Sequence, residues 1–224
     1  MILVASVGYR TGSTLTQRLL NTSNECMIYG EDNMILQVID NYLNSRAPSI
    51  ERAAKQAELF TTNKNIFSAN LMRPFHETRR QVSNLLESLY GSSDYKYTGF
   101  KCISPTYNQM RTFYGLVDDP KIILCYRNIK DAYASYKNIY NWLDEKGYRD
   151  ICNRSLPILK YALKNKPNFI FPLKYSDINE SKINELFDWA EIENRANIKG
   201  TLDLKLREMD NFDSTDKEMK YLND

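Results

Sequence analysis

The sequence predicts an α/β protein of three layers, α/β/α, around a mostly parallel central sheet. Two observations carry this. Short continuous apolar runs, ILVASV at 2–7 and KIILCY at 121–126, have the composition of strands buried on both faces. Between such runs lie stretches with apolar residues at helical spacing, and strands that alternate with helices wind into a parallel sheet. With 224 residues the chain is long enough for one domain with a substantial core, and too short for two large ones.

In order, Ile2–Val7 reads as the first strand, and Thr14 to about Asn21 as the first helix, carried by Leu15, Leu19 and Leu20. Cys26–Tyr29 is a short second strand. Asp32 then has the character of an N-cap, ahead of a helical stripe of Met34, Ile35, Val38, Ile39, Tyr42 and Leu43. Residues 51–90 read as mostly helical, broken near Arg73-Pro74 and ended by Gly91. Tyr95–Ile103 is a strand, and Ser104-Pro105 a helix start, cap followed by proline. After the strand Lys121–Tyr126 a helix is expected from Ile129 to about Lys146, stopped by Gly147. Another follows over about 148–165, disturbed by Pro157. Phe169–Tyr175 is the last strand, and Ile183–Ala190 lies in a helix. From Glu191 the signal weakens, and about 212–224 reads as a polar tail. The helical 40–90 region, inserted between strands, is expected to form much of an acceptor wall.

Bulk properties narrow the function. A formal net charge of +2 gives no field for bulk nucleic-acid binding, so local basic clusters must carry any anion recognition. Cys26, Cys102, Cys125 and Cys152 form no CxxC pair, and a single histidine cannot complete a zinc site; no metal is expected. The cysteines read mainly as small core residues in a reducing compartment. Met1 leads directly into the first strand, whose apolar run is too short for a membrane span or a signal segment, so a cytoplasmic location is expected.

The most informative stretch is ILVASVGYRTGST, residues 2–14. A strand, a glycine turn and a helix N-terminus in this order make an anion site, because backbone N–H groups and the helix dipole face the ligand. A triphosphate loop needs a Lys between its glycine and its Ser/Thr. Here Ser13 stands in that place, and the Gly8 to Gly12 spacing is one residue short. A metal-dependent kinase or GTPase is therefore disfavoured, although a nucleotide or small-molecule kinase stays as the alternative enzyme. Ligands in such folds sit at the carboxyl ends of the strands. The loop after Val7, Lys101 and Arg127 all fall there.

Arg10-Thr11-Gly12-Ser13-Thr14 resembles the donor loop of sulfotransferases, which has Lys or Arg, Ser or Thr, Gly, then two hydroxyl residues. Those enzymes use 3′-phosphoadenosine 5′-phosphosulfate (PAPS). RNIKDAYAS, Arg127 to Ser135, resembles the family's 3′-phosphate segment, an Arg at a strand end with a Ser eight residues later. Lys174-Tyr175-Ser176-Asp177-Ile178 is a weaker likeness to the family's Tyr-Glu-Asp-Leu segment. These matches, in the family's order, span about residues 2–190. The resemblance implies PAPS as co-substrate, held by Arg10, Thr11, Gly12, Ser13 and Thr14 at the phosphosulfate and by Arg127 and Ser135 at the 3′-phosphate.

The resemblance also implies sulfuryl transfer to a hydroxyl, with Arg10 stabilising charge at the bridging oxygen and Lys101 touching the leaving group or donor phosphate. In cytosolic members a Lys-Thr-His-Leu-Pro segment supplies the base. The corresponding stretch here is Lys101-Cys102-Ile103-Ser104-Pro105, so Ile103 stands at the histidine position. His76, the only histidine, reads as a surface or packing residue. Bacterial and carbohydrate-acting members place a Glu after the second strand, and Glu31 fits that position, with Asp32 as fallback. The competing role for both is to favour the next helix's N-terminus. A basic glycine-containing segment near 195–207, with Lys199, is a weak counterpart of the loop that closes over the donor.

The implied acceptor is a saccharide, glycolipid or small metabolite. The aromatic-rich stretch from Tyr107 to Tyr148, with Tyr133, Tyr136, Tyr140 and Trp142, serves either to stack on it or to pack helices. A non-catalytic nucleotide-binding module is the remaining alternative, and the base at Glu31 is what separates it from an enzyme.

Overall fold

The computed structural model of the chain describes residues 1–44, 75–195 and 198–208. Five strands, β1 (Ile2–Ser6), β2 (Cys26–Glu31), β3 (Tyr97–Ile103), β4 (Lys121–Tyr126) and β5 (Ile170–Lys174), form one sheet in the order β2-β3-β1-β4-β5. Every pairing in it is parallel. The helices are α1 (Ser13–Leu20), α2 (35–44), α3 (Phe75–Tyr90), α4 (Tyr107–Leu116), α5 (Ile129–Lys137), α6 (Glu145–Asn165), α7 (Glu180–Ala190) and α8 (Ile198–Glu208).

Alternate residues of the central strand β1 point to opposite faces of the sheet, and both faces are covered. Ile2 and Val4 join Leu19, Leu20, Phe187 and Ile198 in a core layer beneath α1, α7 and α8. Leu3 and Ala5 join Leu36, Leu86, Phe113 and Ile158 in the layer beneath α2, α3, α4 and α6. This is the expected three-layer α/β/α arrangement. The chain leaves β1 toward one edge of the sheet and β4 toward the other, so their carboxyl ends flank the crevice where such folds take ligands.

Several boundaries differ from expectation. β2 runs on through Glu31, which is therefore the last residue of a strand and not part of a loop beyond it. Thr106, not Ser104, caps α4: its hydroxyl accepts from the Gln109 N–H, and the Gln109 side chain accepts from the Thr106 N–H. Ser104 has a left-handed φ of 49° and donates instead to the Ile151 carbonyl of α6. The helix expected over Ile129–Lys146 is shorter, and the one expected over about 148–165 begins earlier. α5 stops at Lys137, and α6 starts afresh where Asp144 accepts from the Gly147 N–H at 2.7 Å. Gly147 thus lies in a first turn, and Pro157 removes one N–H from α6 without ending it. Beyond Glu191 the chain forms α8, which packs Ile198 into the core.

The helix expected over 51–74, the break at Arg73-Pro74 and the tail at 212–224 lie outside the described residues. Among the described residues no helix is long and apolar enough to cross a membrane.

Candidate functional site

The connection from β1 to α1 is built on two left-handed glycines. Gly8 has φ 102° and Gly12 φ 93°. A Cβ on Gly8 would stand 2.5 Å from Cys152 Sγ, and one on Gly12 2.7 Å from Tyr175 Cδ2, so neither position admits another residue unstrained. Arg10 is also left-handed, at φ 60°, which costs a non-glycine residue about 1 kcal/mol. Strain of this kind persists where the surroundings over-determine a functional conformation. Gly12 caps α1 without a side-chain bond, and the first-turn amides of Ser13 and Thr14 have no intrahelical acceptor. Open amides at a helix N-terminus are able to take an anion. Thr11 is buried and donates to the Gly8 carbonyl, and Thr16 donates to that of Gly12 at 3.0 Å, which braces the loop from inside. Ser6 Oγ, buried at the end of β1, has no hydrogen-bond partner among the described residues.

A bulge at the end of β2 aims Glu31. Tyr29 pairs with Phe100 and Glu31 with Lys101, which leaves Gly30 as an extra residue. In a strictly alternating strand Cys26, Ile28 and Gly30 would share the α1 face, and Glu31 would point to the other. The extra residue returns Glu31 to the α1 face, onto Lys101. Lys101 Nζ lies 3.2 Å from Glu31 Oε2 and donates to Thr14 Oγ1 at 3.0 Å. Lys101 itself is buried, while the Glu31 carboxylate remains about one-third exposed, at 34%. Glu31, Lys101 and Thr14 thus form one continuous polar line from β2 to the start of α1.

The neighbouring acid is differently occupied. Asp32 Oδ1 accepts from the Met34 and Ile35 N–H groups at 3.1 and 3.0 Å, which is the capping role. Its Oδ2 accepts from the Tyr90 hydroxyl. Burial, and then that hydrogen bond, push the Tyr90 phenol up, so it stays a donor. Both oxygens of Asp32 are therefore committed to structure. Asn33 Nδ2 donates to Glu31 Oε1 at 2.6 Å, a contact with no sequence signature.

The second anion element meets the first. Arg10 Nε donates to Ser135 Oγ of α5 at 3.3 Å. Arg127, directly after β4, stacks its guanidinium 4.3 Å from the centre of the Tyr175 ring, the same ring that packs on Gly12. Among the described residues neither Arg10 nor Arg127 pairs with a carboxylate, and Asp131 is no partner of Arg127. Tyr175 begins a single 3₁₀ turn, Tyr175–Asp177, after β5. Arg10, Thr14, Lys101, Arg127 and Ser135 are in this way linked around the loop, Arg127 through the Tyr175 ring.

Aromatic residues flank the loop. Tyr136 and Tyr148 are fully buried and serve packing, with Tyr148 donating to the Tyr9 carbonyl at 2.6 Å. Trp142 is 60% exposed and meets Tyr9 edge-on at 5.7 Å. The Tyr9 phenol is pushed up by burial and then by the charge of Glu31. Tyr9 was not evident in the sequence, where it is one tyrosine of sixteen. His76 lies in the first turn of α3, with its side chain outside the described ones. Lys199 is exposed on α8, a helix packed against α1 and α7 and not a glycine loop. No protein-family model and no curated protein matches this chain.

Proposed function

We propose that the chain is a PAPS-dependent sulfotransferase that moves a sulfuryl group to the hydroxyl of a saccharide, glycolipid or small metabolite. The observation that carries this reading is the line Glu31–Lys101–Thr14, which joins a half-open carboxylate to the donor loop through a buried ammonium. The donor set fits a nucleotide with two separated phosphates. It offers two guanidiniums without carboxylate partners among the described residues, one ammonium, several hydroxyls, and the open amides of α1. The Ser6 hydroxyl, at the end of β1 just before the loop, has no hydrogen-bond partner among the described residues.

PAPS, when bound, supplies the sulfuryl group and a phosphate leaving group. Glu31 takes the acceptor's hydroxyl proton as the oxygen attacks sulfur. Arg10 and Lys101 balance the charge gathered on the departing 5′-phosphate oxygen, in the manner of phosphoryl transfer. The amides of Ser13 and Thr14 hold the 5′-phosphate, and Arg127 with Ser135 holds the 3′-phosphate. Asp32, engaged by two cap amides and the Tyr90 hydroxyl, remains the fallback to Glu31, whose carboxylate lies beside Lys101 and the donor loop. Four unpaired, buried thiols accord with a reducing, cytoplasmic setting.

Calorimetry with 3′-phosphoadenosine 5′-phosphate (PAP) against ATP with magnesium tests the reading. The expected result is tight PAP binding without added metal and weak binding of ATP. Preference for ATP–magnesium would turn the assignment to a kinase. PAP binding with no transfer from PAPS to any hydroxyl in an acceptor panel would leave a nucleotide-binding module.

A further inference from the structure

We propose that Asn33 is a positioning residue that holds the Glu31 carboxylate in its working orientation; the functional part of this inference rests on the sulfotransferase reading. Asn33 lies in the turn between β2 and α2 and reaches two elements at once. Its Oδ1 accepts from the Ile103 N–H at the end of β3 at 2.6 Å, and its Nδ2 donates to Glu31 Oε1 at 2.6 Å. The two bonds define each other. A backbone N–H can only be met by the amide oxygen, so the NH₂ end must face the carboxylate.

Lys101 engages Oε2 from the β3 side at 3.2 Å while Asn33 engages Oε1. Two donors on the two oxygens fix the carboxylate plane, and the side chain stays 34% exposed, which leaves an acceptor hydroxyl room to approach. Without Asn33 the side chain is held at one oxygen only and swings about Lys101. Asn is the short side chain that carries an acceptor and a donor on one rigid plane. Aspartate would keep the Ile103 bond and set a like charge against Glu31, and leucine would supply neither bond.

The test uses Asn33→Asp, which retains the acceptor for Ile103 and deletes the donor to Glu31. With a methyl glycoside as probe acceptor, whose hydroxyl needs a base, kcat is expected to fall about 10- to 100-fold, the scale of a displaced catalytic group. The KM for PAPS and the Kd for PAP should stay within about two-fold, the pattern of a lost transition-state contact. An unchanged kcat, or an equal loss of PAP affinity, overturns the proposal. A second measurement needs no turnover and no substitution at Asn33. The Asn33 side-chain amide resonances are expected to move in Glu31→Gln, and unmoved resonances would overturn the contact itself. If the unsubstituted protein transfers nothing from PAPS, the sulfotransferase reading fails, while the amide measurement still decides whether Asn33 holds Glu31.

Discussion

Glu31 and Asp32 are adjacent carboxylates with different tasks, and their partners separate them. Asp32 accepts two amides and a phenol, so it is spent on starting α2 and tying it to α3. Glu31 keeps an exposed edge beside Lys101 and Thr14. Glu31→Gln is therefore expected to lower turnover by about 100-fold or more, the scale of a lost general base. PAP affinity, measured by calorimetry, should change little, and an equal loss of donor binding would remove Glu31 from the base role. Arg127 stacks on Tyr175 and pairs with no carboxylate among the described residues, which leaves its charge for a ligand. Arg127→Ala is expected to weaken PAP far more than adenosine 5′-phosphate in parallel titrations. Equal weakening of both would show that Arg127 does not read the 3′-phosphate.

At the scale of elements, two glycines that look alike in sequence differ in kind. Gly12 is left-handed and backed by Tyr175, whereas a Cβ on Gly30 would meet nothing within 4 Å. Gly12→Ala is expected to destabilise the fold by more than about 1 kcal/mol in urea titration, because alanine resists that backbone conformation. Gly30→Ala should lie within about 0.5 kcal/mol of the parent, as at an open surface position. Reversal of that order would mean that the loop is not held in its left-handed form. What Gly30 supplies is its place as the extra residue of the bulge. The apolar strands β1 and β4 were legible because burial on both faces confines their polar residues, Ser6 and Lys121, to strand ends. The bulge was not, because it exists only in the pairing of β2 with β3. The break between α5 and α6 was hidden for a related reason. Tyr140 continues the helical spacing of Tyr133 and Tyr136, yet its side chain is exposed beyond the end of α5.

Across the whole molecule the four cysteines report on the core. Burial pushes the thiols of Cys26, Cys102 and Cys125 from 9.0 up to about 12, and that of Cys152 to about 11. A thiol raised in the folded state stabilises the fold fully below its unfolded value. That contribution fades as pH climbs from about 9 toward the folded value, because the unfolded thiols ionise first. The urea midpoint is expected to fall between about pH 8 and about pH 10, while the folded protein resists alkylation by iodoacetamide at the lower pH. Rapid labelling of the folded protein would contradict the burial of Cys26, Cys102 and Cys125 in the two core layers and of Cys152 beside Tyr136 and Tyr148.

The sequence by itself determined the α/β class and the parallel sheet, which follow from apolar runs alternating with helical spacing. It also singled out the loop after β1 as a candidate anion site from its glycines, while Arg127 and Ser135 entered through the family resemblance. The tertiary structure decided how the parts meet. Only the folded sheet sets Lys101 between Glu31 and Thr14, brings Arg10 to Ser135 across 125 positions, and turns Asn33 onto Glu31. The physical reason is that these contacts depend on strand register and on one bulged residue, and a shift of one position would send every side chain beyond it to the opposite face.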